Sequence, residues 1–312
     1  MLSKTELAHT AHRIRPYIHR TPVMSSRLLN DISGAKIYFK CENFQRMGAF
    51  KMRGAANAIL QLTSAQKSRG VVTHSSGNFA QALSLAAQSL GVKAYIVMPE
   101  NAPEVKKAAV RGYGGEIILC PPTLADREAN AKKIEDEIGA TFLHPSNDDH
   151  VILGQGTAAL ELLEEEPALE VLMAPVGGGG LIAGTALAGH HFGKNCITVG
   201  GEPFAVDDAW RSLQSGKIET NESTNTIADG LKTQLGDRNF PIIQKLVDRI
   251  IRVEEAEIVE ALRLIWERMK IIIEPSCAVP FAALLKEKEA FTGKKVGIVL
   301  SGGNVDLAKL PF

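Results

Sequence analysis

The sequence predicts an α/β fold of two open parallel sheets whose strand-end loops can face one crevice, and three observations point there. Strand-like apolar runs alternate with helix-like segments along most of the 312 residues. That alternation makes consecutive strands parallel, with helices covering both faces. It falls into two sets: residues 69–148 read as a smaller unit inserted into a larger one made of 1–68 and 149–312. Loops rich in glycine, serine and asparagine follow several strands, and this is the edge at which open α/β sheets bind ligands.

Taken in order, Ser3 and Glu6 form an S-x-x-E capping box, which places a helix over residues 4–14. Pro16 and Pro22 bound an irregular link. Thr21 is extended there, because the residue before a proline is pushed out of the helical region. Residues 35–40 form an apolar strand leading into Cys41-Glu42-Asn43-Phe44-Gln45-Arg46-Met47-Gly48-Ala49-Phe50-Lys51. Gly48 tolerates unusual dihedrals, and a helix carrying Ala55, Ala56, Ala58, Ile59 and Leu60 follows. Lys51 therefore stands at a loop-to-helix junction among apolar residues. Loss of hydration there lowers an amine's pKa and makes it a nucleophile or Schiff-base former.

The inserted unit reads as strands at 70–74, 93–98, 116–120 and 141–143, with helices at 79–90, 104–112 and 125–138. Beyond it come a helix at 155–164, a strand at 171–176, a helix at 181–191 and a strand at 197–200. Residues 214–227 are a polar surface loop. Helices at 256–270 and 277–286 precede a last strand at 296–300. In the first of these, Ile258, Ala261, Leu262, Ile265 and Met269 share one stripe.

Lys plus Arg and Asp plus Glu number 35 each, so the formal net charge is zero. This argues against nucleic acid or a membrane surface as the main partner. The four cysteines, Cys41, Cys120, Cys196 and Cys277, stand far apart without a C-x-x-C pair. That fits a reduced, cytoplasmic protein without a zinc site. The first residues lack the apolar run of a signal peptide, and no stretch approaches the roughly 18 apolar residues of a membrane span.

Gly177-Gly178-Gly179-Gly180 lies between a strand and a helix. Backbone N–H groups freed of side chains, at the positive end of a helix, make a phosphate cradle. No G-K-[ST] follows, so this is not a Walker A loop. A second reading competes. Gly178-x-Gly180-x-x-Ala183 fits a dinucleotide fingerprint, with Glu202 placed to hold a ribose, and would make the chain a nicotinamide-dependent oxidoreductase. It leaves Lys51 without a role. It also leaves Ser75-Ser76-Gly77-Asn78-Phe79-Ala80-Gln81 and Ser301-Gly302-Gly303-Asn304 unexplained; both follow strands and offer hydroxyls, amides and free N–H groups.

These motifs, with Glu42-Asn43-Phe44-Gln45, Phe50-Lys51-x-Arg53-Gly54-Ala55, Gly154-Gln155-Gly156-Thr157, Thr226-Ile227-Ala228-Asp229-Gly230 and Glu274-Pro275-Ser276, make nearly the whole chain resemble the fold-type II pyridoxal-phosphate enzymes. The resemblance is greatest to the serine racemase and serine/threonine dehydratase branch. It implies that Lys51 carries pyridoxal phosphate as a Schiff base and then acts as acid and base at the substrate Cα. It further implies that Phe50 packs on the cofactor ring, Gly177, Gly178, Gly179 and Gly180 bind the phosphate, Asn78 bonds the ring hydroxyl, Glu274 belongs to the cofactor site and Ser301 bonds the pyridine nitrogen. Ser75, Gln81 and Arg127 are implied for the substrate carboxylate. Ser76 is implied on the cofactor face opposite Lys51, where dehydratases that do not racemise carry alanine. Glu202, Asp208 and the Val206 carbonyl match a Mg²⁺ or Ca²⁺ site, hard oxygen ligands suited to either ion. The implied activity is dehydration and deamination of L-serine or L-threonine, with serine racemase or 3-hydroxyaspartate dehydratase as alternatives, in a homodimer. Ala49, Phe79 and Ser146-Asn147 depart from the family pattern near the substrate, so substrate identity stays open.

Overall fold

A computed structural model describes residues 1–312, apart from the side chain of residue 309. Helix α1 (Lys4–Ile14) opens with the expected capping box, Ser3 and Glu6 each accepting the other's backbone N–H. There follow β1 (Val23–Met24), α2 (Arg27–Ser33), β2 (Lys36–Cys41), α3 (Lys51–Leu60) and α4 (Ser64–Arg69). Next come β3 (Val71–His74), α5 (Asn78–Ser89), β4 (Ala94–Pro99), α6 (Glu104–Gly112), β5 (Glu116–Cys120), α7 (Leu124–Ile138) and β6 (Thr141–Phe142). Then α8 (Asp149–Glu165), β7 (Val171–Pro175), α9 (Gly180–Phe192), β8 (Ile197–Pro203), α10 (Asp208–Ser215) and α11 (Phe240–Leu246) lead to β9 (Val247–Val253). The chain ends with α12 (Glu255–Met269), α13 (Pro275–Lys286), α14 (Lys288–Phe291) and β10 (Lys295–Leu300).

The strands make two sheets, as the alternation predicts. One runs β1-β2-β10-β7-β8-β9, parallel except where β1 pairs antiparallel with β2. The other, β5-β4-β3-β6, is parallel throughout. Side-chain alternation along β7 shows why both faces of the larger sheet need cover. Val171 and Met173 join a core with Ile258 and Leu262 of α12 and Ala278 and Phe281 of α13, whereas Leu172 and Ala174 join Ile152 of α8 and Ile182 of α9. Helix α3 packs elsewhere: Met52, Ala55 and Ile59 share a core with Val71, Phe79, Leu83 and Ile96 around the smaller sheet.

Glycines let the central helices touch through their backbones. A Cβ on Gly154 would lie 2.5 Å from Gly54 Cα, and one on Gly184 would lie 2.5 Å from Gly156 N. Helix α3 is thereby held against α8, and α8 against α9.

Some elements escape the sequence reading. Helix α8 begins at Asp149 and not at residue 155, because Asp148 caps it by accepting from His150 N and Val151 N, and its two glycines weaken the helical signal. Strand β9 is an edge strand interrupted by Asp248, Arg249 and Arg252, which blur its alternation. Helices α2, α4, α10 and α11 are six to eight residues long, too short for a clear 3.6-residue period. Among the described residues no helix is long and apolar enough to cross a membrane.

Candidate active site

Lys51 is the first residue of α3. Part of its side chain still faces the cleft, but the amine lies deep enough that burial lowers its pKa to about 8, with the Glu274 charge opposing the fall. The Nζ donates to the Pro145 carbonyl at 2.6 Å and lies 5.1 and 5.7 Å from the Phe50 and Phe79 ring centroids. Phe79, 2% exposed, makes this wall apolar, as the departure from the family pattern suggests.

The loop carrying Lys51 is stitched to the exit of β10. Phe50 N donates to Ser301 O at 3.0 Å, Gly303 N donates to Gly48 O at 2.9 Å, and Ala49 bridges Gly302. Met47 takes a left-handed conformation, φ 54°, and its carbonyl accepts from Asn304 Nδ2 at 2.9 Å. That same Nδ2 donates to Asn78 Oδ1 at 2.9 Å, while Asn78 Nδ2 reaches both Glu274 oxygens at 2.9 and 3.1 Å. Burial raises the Glu274 pKa to about 7, and the Asn78 hydrogen bond works against that rise. Ser301 is 2% exposed.

A side chain on any of Gly177 to Gly180 would meet a neighbour, backbone at Gly177 and Gly180 and side-chain atoms at Gly178 and Gly179. A Cβ on Gly177 would lie 2.8 Å from Leu231 Cα, one on Gly178 2.5 Å from Ser146 Oγ, one on Gly179 2.6 Å from Asn239 Oδ1 and one on Gly180 2.8 Å from Ser146 O. Gly179 also has φ +80°. The loop thus presents bare backbone and the first N–H groups of α9, which suits a phosphate. Lys51, Glu274, Ser301 and this cradle fit pyridoxal phosphate: a buried amine of lowered pKa, polar groups at a strand exit and an anion site.

Sequence reasoning marked Ser146-Asn147 only as a departure from the family pattern and missed His144-Pro145 and the turn they build, which joins these parts. His144 Nδ1 accepts from Ser146 N at 3.1 Å and Asn147 N at 2.8 Å. Asn147 bonds Asp237 and Arg238 N, and Asn239 Nδ2 bonds Ser146 O and Gly178 O. The His-Pro pair carried no signal beyond a strand end, because its partners lie far along the chain.

The substrate candidates are spread more widely. Ser75 Oγ accepts from Gly77 N at 3.3 Å, and Gln81 is buried in the first turns of α5. Ser76 is half-buried in the same loop. Arg127 on α7 donates through Nε to Thr123 O at 3.4 Å and lies close enough to His74 to help burial lower that imidazole's pKa.

Glu202, Val206 and Asp208 form a separate group behind the glycine loop, each 0% exposed. Glu202 accepts from Ala209 N and Trp210 N, so α10 seals it, and a ribose could not reach it. Asp208 accepts from Asn221 Nδ2 at 2.6 Å and Leu235 N at 3.1 Å. Burial, then the Asp208 charge, raises the Glu202 pKa well above the carboxylate range, and burial raises Asp208 to about 6. Among the described residues no three His, Cys, Asp or Glu side chains could hold a metal together. A cation here would therefore need a backbone oxygen beside the two acids. Two buried acids repelling each other are a donor set that a hard cation fits.

A family model for pyridoxal-phosphate dependent enzymes matches residues 14–302. The β-hydroxyaspartate dehydratase of Paracoccus denitrificans is 48% identical over 300 residues, covering 96% of this chain and 95% of the relative. The serine racemase of Dictyostelium discoideum is 49% identical over 302 residues, covering 96% and 93%. Among solved structures, a maize serine racemase superposes with a TM-score of 0.95 at 46% identity, covering 97% of this chain and 94% of that one. A threonine deaminase superposes with a TM-score of 0.94 at 42% identity, covering 99% of this chain and 100% of that one. Such likeness, running end to end in both sequence and fold, settles the family: this chain belongs to the pyridoxal-phosphate dependent enzymes.

Proposed function

We propose that the protein dehydrates and deaminates a β-hydroxy amino acid, L-serine and L-threonine first, releasing ammonia and a 2-oxo acid. The observation that carries this reading is the buried Lys51 amine, which donates to the Pro145 carbonyl beside Ser146, the residue packed against the glycine loop, and whose pKa burial lowers to about 8. Likeness to dehydratases, deaminases and racemases supports it.

When bound, pyridoxal phosphate supplies the electron sink that acidifies the substrate Cα–H. The amides of the glycine loop and α9 receive the phosphate. Phe50 and Phe79 exclude water, and Asn78, held by Glu274 and Asn304, addresses the ring hydroxyl. The Ser301 hydroxyl would be the group that bonds the pyridine nitrogen. Being neutral, it would not hold a proton there as a carboxylate does, and would so make the bound cofactor a weaker electron sink, which suits elimination. Lys51 Nζ removes the Cα proton. Ser75, Gln81 and Arg127 hold the carboxylate. Ser76 can move a proton on the opposite face, so racemisation would accompany elimination. The proposal includes Mg²⁺ or Ca²⁺ at Glu202, Asp208 and the Val206 carbonyl, a cytoplasmic homodimer, and domains of 1–68 with 149–312 and of 69–148.

One observation favours a second reading. Arg127 forms no ion pair among the described residues, the one side-chain hydrogen bond it makes there being from Nε to the Thr123 carbonyl. A free guanidinium of this kind suits a second substrate carboxylate, as in 3-hydroxyaspartate.

The test is a visible spectrum of the purified protein with pyridoxal phosphate, then separate additions of L-serine, L-threonine and 3-hydroxyaspartate with 2-oxo acid and D-serine followed. Pyruvate from L-serine without D-serine supports the dehydratase. D-serine ahead of pyruvate makes it a racemase, and turnover of 3-hydroxyaspartate alone selects the second reading. No cofactor band overturns all three.

A further inference from the structure

A buried ammonium has three hydrogens to place, yet among the described residues Lys51 Nζ makes one hydrogen bond, to Pro145 O at 2.6 Å. Proline offers only that carbonyl, since it has no N–H. What fixes the carbonyl is the residue before it. His144 Nδ1 accepts from Ser146 N and Asn147 N, the pair of amides that an Asn or Asp side chain takes in an Asx turn. Both amides point at one ring lone pair, so Nδ1 is bare and the proton sits on Nε2.

We infer that His144 is a positioning residue: it holds the Pro145 carbonyl as a perch for the Lys51 amine whenever the lysine is free of the cofactor. This rests on the reading that Lys51 carries pyridoxal phosphate. The rest of the turn is anchored so that the perch keeps its place relative to the phosphate cradle. Asn147 Oδ1 accepts from Arg238 N at 2.9 Å, and Asn239 Nδ2 spans Ser146 O at 3.3 Å and Gly178 O at 2.9 Å. The surroundings keep the imidazole neutral. Burial, then His74 and Lys51, lower its pKa to about 4, and only Asp237 opposes them. On its outer side His74 in turn feels Arg127 and Glu128, and the His74 and Phe142 rings meet His144 edge-on at 6.4 and 6.2 Å. The Glu274 charge raises the amine's pKa against the effect of burial.

A carbonyl that accepts from an ammonium favours the charged form, so the perch holds the Lys51 pKa up against burial. The test is acetylation of the cofactor-free protein with acetic anhydride across a pH series, with Lys51 labelling read by peptide mass spectrometry. The wild type should half-label near pH 8. His144→Leu should move that midpoint about one pH unit lower, the loss expected for one hydrogen bond to a charged group. His144→Asn should restore it. A wild-type midpoint in the leucine variant, or an asparagine variant that follows leucine, would overturn the inference. Should the leucine variant fail to fold, nitrogen NMR of wild-type His144 decides. A bare Nδ1 and protonated Nε2 at pH 7 are expected, and an Nδ1–H tautomer or an imidazolium there sinks the inference. In a separate arm, pyridoxal phosphate should protect Lys51 from label. Failure there removes the cofactor reading and leaves the perch test standing.

Discussion

With a pKa of about 8, Lys51 is neutral in about a tenth of molecules at pH 7 and in half at pH 8. Only the neutral amine attacks a carbonyl. The cofactor-free protein should therefore take up pyridoxal phosphate about tenfold faster with each pH unit gained below 8, and level off above it; stopped-flow absorbance would show this. A pH-independent rate from 6 to 8 would contradict the lowered pKa. Lys51→Ala removes both the anchor and the base and should cut kcat by at least about 10³-fold, in line with general acid–base contributions. Full activity would remove Lys51 from the chemistry. Ser76→Ala should abolish D-serine formation while leaving pyruvate formation within about threefold, because elimination needs a base on one face only. Parallel loss of both products would contradict the two-face assignment. The place of Lys51, at a loop-to-helix junction beside Phe50, was legible in sequence, while its role rested on the resemblance carried by the surrounding motifs. Its hydrogen-bond partner was not legible, because a backbone carbonyl leaves no mark in sequence and Pro145 is 94 residues away.

Helix α3 owes its position to charges as well as glycines. The fully buried Arg53 guanidinium forks between Glu42, at 2.7 and 2.8 Å, and Glu161, at 2.8 Å twice. Lys40 Nζ closes the network on Glu161 at 2.8 Å. Burial works against the Arg53 charge, but Glu42 and Glu161 together hold its pKa above the usual range. Arg53→Met would leave two acids without their main partner and should destabilise the fold by about 3–5 kcal/mol, read as a lower denaturation midpoint at unchanged slope. A loss under about 1 kcal/mol would mean that the network contributes little. Arg53 is visible in sequence only as part of a motif. Its pairing with Glu161, 108 residues on, requires the α3–α8 crossing to be known first. Strand β9 stayed hidden for the opposite reason: its charged residues are local, and only its place at the sheet edge explains them.

Across the whole molecule, the two-sheet plan was readable because parallel strands buried on both faces are plain apolar runs, and both sheets follow it. How the sheets meet was not readable. Lys106 on α6 reaches Asp229 at 2.8 Å, and Asn78 reaches Glu274, so both contacts tie the smaller sheet's helices to the larger sheet's loops. The acids behind the glycine loop act at this scale too. Asp208 supports Leu235 N, and Leu235 borders Gly179, so a cation there would brace the phosphate cradle. Mg²⁺ or Ca²⁺ at about 100 times its dissociation constant should stabilise the protein by about 2.7 kcal/mol, a Tm rise of several degrees that EDTA reverses. Glu202→Gln should abolish the response; an equal rise in that variant would place the ion elsewhere.

The glycine contacts between α3, α8 and α9 also constrain how such an enzyme can change. Side chains between helices act as shims, which can be thinned or thickened one methylene at a time. Here there are none at Gly154, Gly156 and Gly184, and the first added carbon meets backbone. The span from the lysine to the phosphate cradle is therefore a fixed gauge, closed to gradual adjustment. New substrate preferences would then have to arise at side chains that do not set it, such as Phe79 and Arg127, and not at Ser146 or Asn147, which tie the turn to the glycine loop and its neighbours.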